Sequence, residues 1–275
     1  MPTFIPFILI AACLGLQMPS PSQAPTPATQ APVVLPLSRS LVARYINAIG
    51  GRVAIWDLES FTAHATIGIE GSDTKGELDL AFRNSGLMSI QLDLGALGKS
   101  QVGSNGAFAW EVTTTNSGER LEELIDPKEA RERRRSLNWF ELAIQINADT
   151  KSMKTIGPAD FDGHPCWEVQ KINRRGQEER IFIDRNSYLL RGIQIFDESN
   201  ADQLDLTMSF RDWKRVKPLV LFHEIVISSM NTEMKVVFDS ISLNKAPPDL
   251  FLPPDSIVSL IDSLKQQESP SVEKP

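Results

Sequence analysis

The chain has 275 residues, a formal net charge of −7 and a pI near 5.1. An acidic balance of this kind excludes a broad nucleic-acid-binding surface, which needs a basic footprint to displace counterions. The cysteines are Cys13 and Cys166, and only Cys166 lies beyond the first 13 residues, so no intramolecular disulfide is expected and the fold must rest on its core.

Residues 4–12 (FIPFILIAA) form an apolar run too short to span a bilayer but of the right size for a secretory signal. No Lys or Arg precedes it; the bland alternative is a buried N-terminal strand. Two processing sites compete. Ile10-Ala11-Ala12-Cys13 resembles a bacterial lipobox, in which Cys13 becomes the lipidated first residue. Ser22-Gln23-Ala24 resembles an ordinary small-x-small site, although Pro25 directly after the cut makes it a poor substrate. Residues 1–24 are therefore expected to be a signal peptide, with a cut before Cys13 as the competing processing. Residues 25–37 are expected to be a tether. The prolines at 19, 21, 25, 27, 32 and 36, spaced by Ser, Ala and Thr, predict an extended spacer with no core of its own.

A folded domain is expected over 38–254. Leu41, Tyr45 and Ala48 recur at helical spacing after Ser38, and Gly50-Gly51 ends that helix. A second short pattern, Val53 to Leu58, leads into a strand. Phe61, Ala63, Ala65, Ile67 and Ile69 then alternate with polar residues, the period of a sheet with one face against apolar material. Gly71-Ser72-Asp73 turns the chain; Leu78, Leu80 and Phe82 alternate next, and after Asn84-Ser85-Gly86 so do Met88, Ile90, Leu92 and Leu94. Gly103 to Gly106 turns it again before Phe108, Trp110 and Val112. These read as successive hairpins.

Residues 119–146 read as helix. Leu121, Leu124 and Ile125 mark one face of a short segment. Asp126 is a cap for the next, with Pro127 in its first turn and Glu129 three residues on. Ala130, Leu137, Phe140 and Ile144 are its apolar stripe. Arg131, Arg133, Arg134 and Arg135 form a basic knot, either a solvated face balanced by Glu129 and Glu132 or a site for an anionic headgroup or partner. Strands resume from Lys151, with turns at Asp162-Gly163, 174–176 and 185–187. They continue through Leu204 to Phe210, Leu219 to Ser228 and Met234 to Leu243. In residues 255–275 a weak helix, Ile257 to Leu264, precedes a polar, disordered tail.

The chemistry-bearing residues are sparse. His64, His164 and His223 are scattered, and no histidine or carboxylate stands at metal-ligand spacing from them. There is no G-x-S-x-G elbow, P-loop or paired-cysteine site. Cys166 reads as a small buried hydrophobe, the alternative being a nucleophile with His164 as base. No cofactor, metal or catalytic residue is expected. The apolar sides of many strands must be covered by few helices. Either an ordinary dry core results, or an incompletely curled sheet keeps an apolar lining of lipid-tail width. On the second reading Phe61, Ala63, Ile67, Leu78, Leu80, Phe82, Met88, Ile90 and Leu92 line the cavity.

Several segments resemble the bacterial lipoprotein-carrier superfamily, the LolA/LolB-like and LppX-like proteins. They are Tyr45 to Gly51, Phe161 to Val169, Ile181 to Leu190 and the closing Leu250-Phe251-Leu252-Pro253, and the resemblance covers roughly residues 41–254. It implies a mainly β fold with α: a single curved antiparallel sheet forming an unclosed β-barrel, with helices covering the concave face. It further implies binding of lipid or lipoprotein acyl chains without catalysis. An envelope donor or acceptor protein is the implied partner, in the periplasm or at the outer membrane, where an anchor on Cys13 would give membrane contact. The alternative is a secreted β-rich interaction or sensor domain with no lipid ligand; a hydrolase comes third.

Overall fold

The computed structural model describes residues 34–197, 203–229 and 232–268. The expected export signal, Cys13, most of the tether and the tail beyond Glu268 lie outside the described residues. Two meanders make up one sheet. The first comprises β1 (Ser60–Ile69), β2 (Lys75–Arg83), β3 (Met88–Asp93), β4 (Lys99–Ser104), β5 (Ala109–Thr114) and β6 (Arg120–Ile125). The second comprises β7 (Thr150–Phe161), β8 (His164–Asn173), β9 (Glu178–Asp184), β10 (Leu190–Phe196), β11 (Leu204–Val216), β12 (Leu219–Ser229) and β13 (Thr232–Leu243). Within each meander, neighbours in sequence pair antiparallel. A central seam joins the two, with β1 against β13 from Phe61↔Leu243 to Ile69↔Met234.

The described residues thus form a 13-stranded sheet with β6 and β7 as its free edges. The sheet does not close. Its edges are consecutive in sequence, and the chain between them carries α3 (Pro127–Leu137) and α4 (Trp139–Ile144). With α1 (Ser38–Ala48) and α2 (Gly51–Trp56), these helices lie against the apolar face. One buried cluster contains Leu41 and Tyr45 of α1, Ile49 just after it, Phe140 and Ile144 of α4, and residues from β1 to β4 and β8 to β13. The opposite face is covered locally. α5 (Asp255–Glu268) buries Ile257 and Ile261 against Trp110 and Val112 of β5. A 3-10 turn, Pro248–Phe251, sets Phe251 against Ala81. Phe161, Cys166 and Phe182 form a third patch.

The structure corrects several sequence expectations. Residues 120–125 are strand β6, although Leu and Glu at these positions favour helix. Pairing decides the matter: β5 would otherwise be a bare edge, and Ala109↔Ile125 to Thr114↔Arg120 satisfies it. As in any strand, neighbours then separate, Leu124 packing with Trp110 and Ile125 entering the main core. The expected single helix over 127–146 breaks at Asn138, whose φ of −87° and ψ of 68° are not helical. Asn138 caps the second piece by accepting from the Glu141 N–H. β4 carries Val102 as its one large apolar residue, too little alternation to announce a strand. The C-terminal helix is longer than the expected 257–264, running from Asp255 through Glu268.

Candidate functional site

α1 presents two apolar rows. Leu41, Tyr45 and Ile49 face the sheet, while Val42 and Ile46 turn toward α4. Its start is tied to β7. The Ser38 hydroxyl donates to the Met153 carbonyl at 3.1 Å, and the Thr155 hydroxyl donates to the Pro36 carbonyl at 2.6 Å. Its middle is tied to α4, where the Tyr45 hydroxyl donates to the Ala143 carbonyl at 2.8 Å. Complete burial drives the Tyr45 pKa far above the ordinary phenol value, so it remains a neutral donor. Its end is fixed by Gly50, at φ 128°, where a Cβ would stand 2.9 Å from the Pro218 carbonyl oxygen. The Val220 N–H donates to the Ile49 carbonyl at the same corner.

α4 delivers an aromatic plug. Phe140 stacks on Phe222 with centroids 4.4 Å apart, meets Phe61 at 4.2 Å and meets Phe238 edge-on at 4.8 Å. The plug holds α4 over the β1–β13 seam and β12 together. It leaves open a cavity of about 1180 Å³ between α1–α2 on one side and α3–α4 on the other. The floor and walls are Val42, Ile46, Ile55, Phe61, Phe82, Phe140 and Ile144, with Met153 from β7.

The rim is polar, and its charged groups are the arginines Arg39, Arg52, Arg83 and Arg134 with one carboxylate, Glu141. Two of these are engaged. Arg134 donates to the Leu87 carbonyl at 2.8 Å, lies 5.3 Å over the Phe82 ring and pairs with Glu141 at 3.4 Å. Arg83 donates to the Ala246 carbonyl at 2.7 Å, and its Nε is buried with no hydrogen-bond partner among the described residues. Arg39 and Arg52 are exposed and form no ion pair among the described residues. The arrangement suits an amphiphile, with an apolar pocket for a chain and guanidinium groups for an anionic end.

The nine residues expected to line a cavity come together in the main core. All but Leu92 are buried, and Leu92 packs against the same cluster. Phe61 and Phe82 reach the cavity wall. The other seven lie in the packed layer, Ala63 and Leu80 also backing a shallower pocket of about 390 Å³ beside His64 and Asp79. The rest of the apolar wall includes Val42, Ile46, Ile55 and Ile144, helical residues outside the expected lining set. Their signal was present: α1 and α4 are apolar on more than the one stripe needed to seal a sheet.

The remaining chemistry-bearing groups lie elsewhere. His64 and Asp79 pair at 2.8 Å on the exposed side of β1 and β2. Cys166 is buried, and burial, with Asp184 nearby, pushes its thiol up to about 11, so it is not a thiolate nucleophile. Among the described residues no group of three or more His, Cys, Asp or Glu is placed to hold a metal ion.

No protein-family model and no curated protein matches the sequence. Solved structures do match. A LolA superfamily protein from Nitrosomonas europaea aligns over 80% of this chain and 99% of its own, at 8% identity and a TM-score of 0.50. A DUF1329 family protein from Desulfovibrio piger aligns over 79% of this chain and 98% of its own, at 10% identity and a TM-score of 0.52. At these identities the likeness is one of fold: the chain has the LolA-like architecture, an unclosed antiparallel sheet with helices against its concave face.

Proposed function

We propose that the protein is a non-catalytic envelope protein that holds a lipid or a lipoprotein acyl chain in the cavity between α1–α2 and α3–α4, serving lipoprotein sorting or lipid transfer. The observation that carries this reading is the cavity itself, about 1180 Å³ with an apolar wall and a rim of arginines. That volume is somewhat above the range of ordinary ligand pockets, about 300–1,000 Å³. No histidine or cysteine lines it. Of the nine predicted residues, Phe61 and Phe82 line it, and the other seven belong to or pack against the same buried cluster.

The reading places the protein outside the cytoplasm, in the periplasm or held at the outer membrane of a bacterium through a lipidated Cys13. No helix among the described residues is long and apolar enough to cross a membrane. The domain begins at Ser38, with residues 25–37 as its spacer.

The test is uptake of a fluorescent fatty acid together with mass spectrometry of lipid extracted from the purified protein. The parent is expected to take up the probe. Ile46→Glu puts a carboxylate in the cavity wall at a half-buried position, so the fold should persist while uptake falls at least tenfold, about the cost of an unpaired partly buried charge. A parent protein that carries no lipid and takes up no probe would leave an interaction or sensor domain as the better reading.

A further inference from the structure

The mouth of the cavity carries an unusual surface. Trp56 is 85% exposed, Val53 76% and Leu37 58%, among the most exposed large apolar side chains of the described protein. Val53 and Trp56 are three residues apart on α2, so they share its outward side, while Ala54 and Ile55 turn to the core. Trp56 and Leu37 belong to the cavity rim, as do the exposed guanidinium groups of Arg39 and Arg52.

Charge is distributed to match. The first acidic residue in the whole chain is Asp57; Arg39, Arg44 and Arg52 precede it, and all 35 acidic residues lie at or beyond that point. A protein of net charge −7 therefore has its helical N-terminal corner basic. Asp57 and Glu59, both exposed, follow directly after Trp56 and are the nearest acidic groups in sequence to this face, while Glu141 on the opposite rim is occupied by Arg134 and Asn138. Arg44 is engaged elsewhere, lying 4.9 Å over the Tyr188 ring.

We propose that the outward side of α2, with Leu37 and Arg39 at the start of α1, is a membrane-docking face that seats the cavity mouth on an anionic phospholipid bilayer. Trp56, Val53 and Leu37 enter the interfacial region, where an indole has both apolar and polar surroundings, and Arg39 and Arg52 meet lipid phosphates. A scattered exposed leucine needs no explanation, but a tryptophan, a valine and a leucine grouped with two unpaired arginines do. A protein interface would use the same aromatic. The absence of carboxylates from residue 34 to 56 favours a surface whose charge is uniformly negative. Docking here brings the lipid chains to the pocket opening, so a chain could pass without crossing water. The inference adds to the acyl-chain reading but stands without it, because the face is built whether or not the cavity takes a ligand.

The test uses the protein with vesicles of phosphatidylcholine alone or mixed with phosphatidylglycerol, read by flotation and by tryptophan emission. Trp56 is the exposed one of the five tryptophans, so its environment dominates any change on docking. The protein is expected to float with the mixed vesicles, weakly with phosphatidylcholine alone, and less as salt rises. Emission should shift to the blue in the parent, and this shift should be absent in Trp56→Phe. Trp56→Ser should reduce flotation at least tenfold, and Arg39→Glu and Arg52→Glu by about fivefold each. Val53→Asp should abolish flotation yet retain fatty-acid uptake from solution, because Val53 is outside the cavity wall. Ile46→Glu should do the reverse. Leu252→Ser, at another exposed apolar site, should behave as the parent. The proposal is overturned if the parent floats with neither vesicle, if Trp56→Ser and Val53→Asp float as the parent does, or if Leu252→Ser is the variant that fails. Loss of uptake in the parent with flotation intact would reject the acyl-chain reading alone.

Discussion

Asp184 shows how a single side chain secures a turn. Its carboxylate accepts from the Asn186 N–H at 2.9 Å, the Ser187 N–H at 2.8 Å and Arg191 Nε at 3.0 Å. Burial pushes its pKa up, but the Ser187 and Asn186 amides and Arg191 outweigh it and hold the carboxyl below the usual range. The stability this supplies is complete above the unfolded carboxyl value, about 3.9, and is lost as pH falls through the lower folded value. Asp184→Asn should therefore destabilise by about 1–3 kcal/mol at neutral pH. Its gap from the parent should narrow below pH 4 in urea titrations; a gap that stayed constant into acid would contradict the ionised role. His64 shifts the other way. Its hydrogen bond to Asp79 raises its pKa, so the pair contributes below the unfolded imidazole value and the contribution fades as pH rises through the folded one. In a histidine NMR titration the midpoint should move down in Asp79→Asn. The sequence showed the turn at 185–187 and the His64 strand face, but not these partnerships. The cross-strand register His64↔Asp79 depends on the length of the 70–74 turn, which no alternation pattern encodes.

At the level of elements, the strands with clean alternation were legible, and those without it were not. β1 and β2 declare themselves through Phe61 to Ile67 and Leu78 to Phe82, whereas β4 and β6 become strands because a neighbour's edge must be paired. The cap and first turn of α3 were readable, although Glu129 turns to Arg133 and not back to the cap. Asp126 accepts from the Lys128 N–H at 2.7 Å, and Pro127 occupies the first turn. Asp126→Ala should lower stability by about 0.5–2 kcal/mol in thermal or urea melts. The break at Asn138 was hidden, because Leu137, Phe140 and Ile144 fit one continuous stripe equally well. It matters for the site, since the bend lets Phe140 reach Phe61, Phe222 and Phe238 together. Phe140→Ala should destabilise by about 3–5 kcal/mol and merge the vacated space with the cavity. Retention of the parent melting temperature would show that the plug is dispensable.

For the whole molecule, the sequence conveyed a sheet short of covering helices, and the structure shows where the shortage falls. It is not under the β1–β3 stripe, which is packed, but between two helical layers at one end of it. Ile90→Asp separates the two arrangements. Ile90 is 4% exposed and away from the cavity wall, so a carboxylate there is an unpaired buried charge, costing at least about 3 kcal/mol. It should unfold the protein, where Ile46→Glu leaves it folded; a stable Ile90→Asp variant would mean that the stripe is open to water. Cavities formed between covering elements escape sequence reading because their walls are the back sides of residues already assigned to a core.

The seam between β1 and β13 bears on how the chain reaches this state. Every other strand pairing is between neighbours in sequence and can form as each hairpin emerges, but Phe61 must wait for Leu243. The first meander therefore spends the whole of synthesis with one long side of β1 uncovered, carrying Ala65 and Ile67 in a β-prone stretch. Closing contacts of such separation are slow, and an uncovered strand of this kind invites pairing with another molecule. A chain ending at Ser229 would keep twelve strands yet should aggregate rather than fold, while adding residues 232–268 as a separate peptide should slow that aggregation by zipping onto β1. The last strand made thus acts as the fastener of the first.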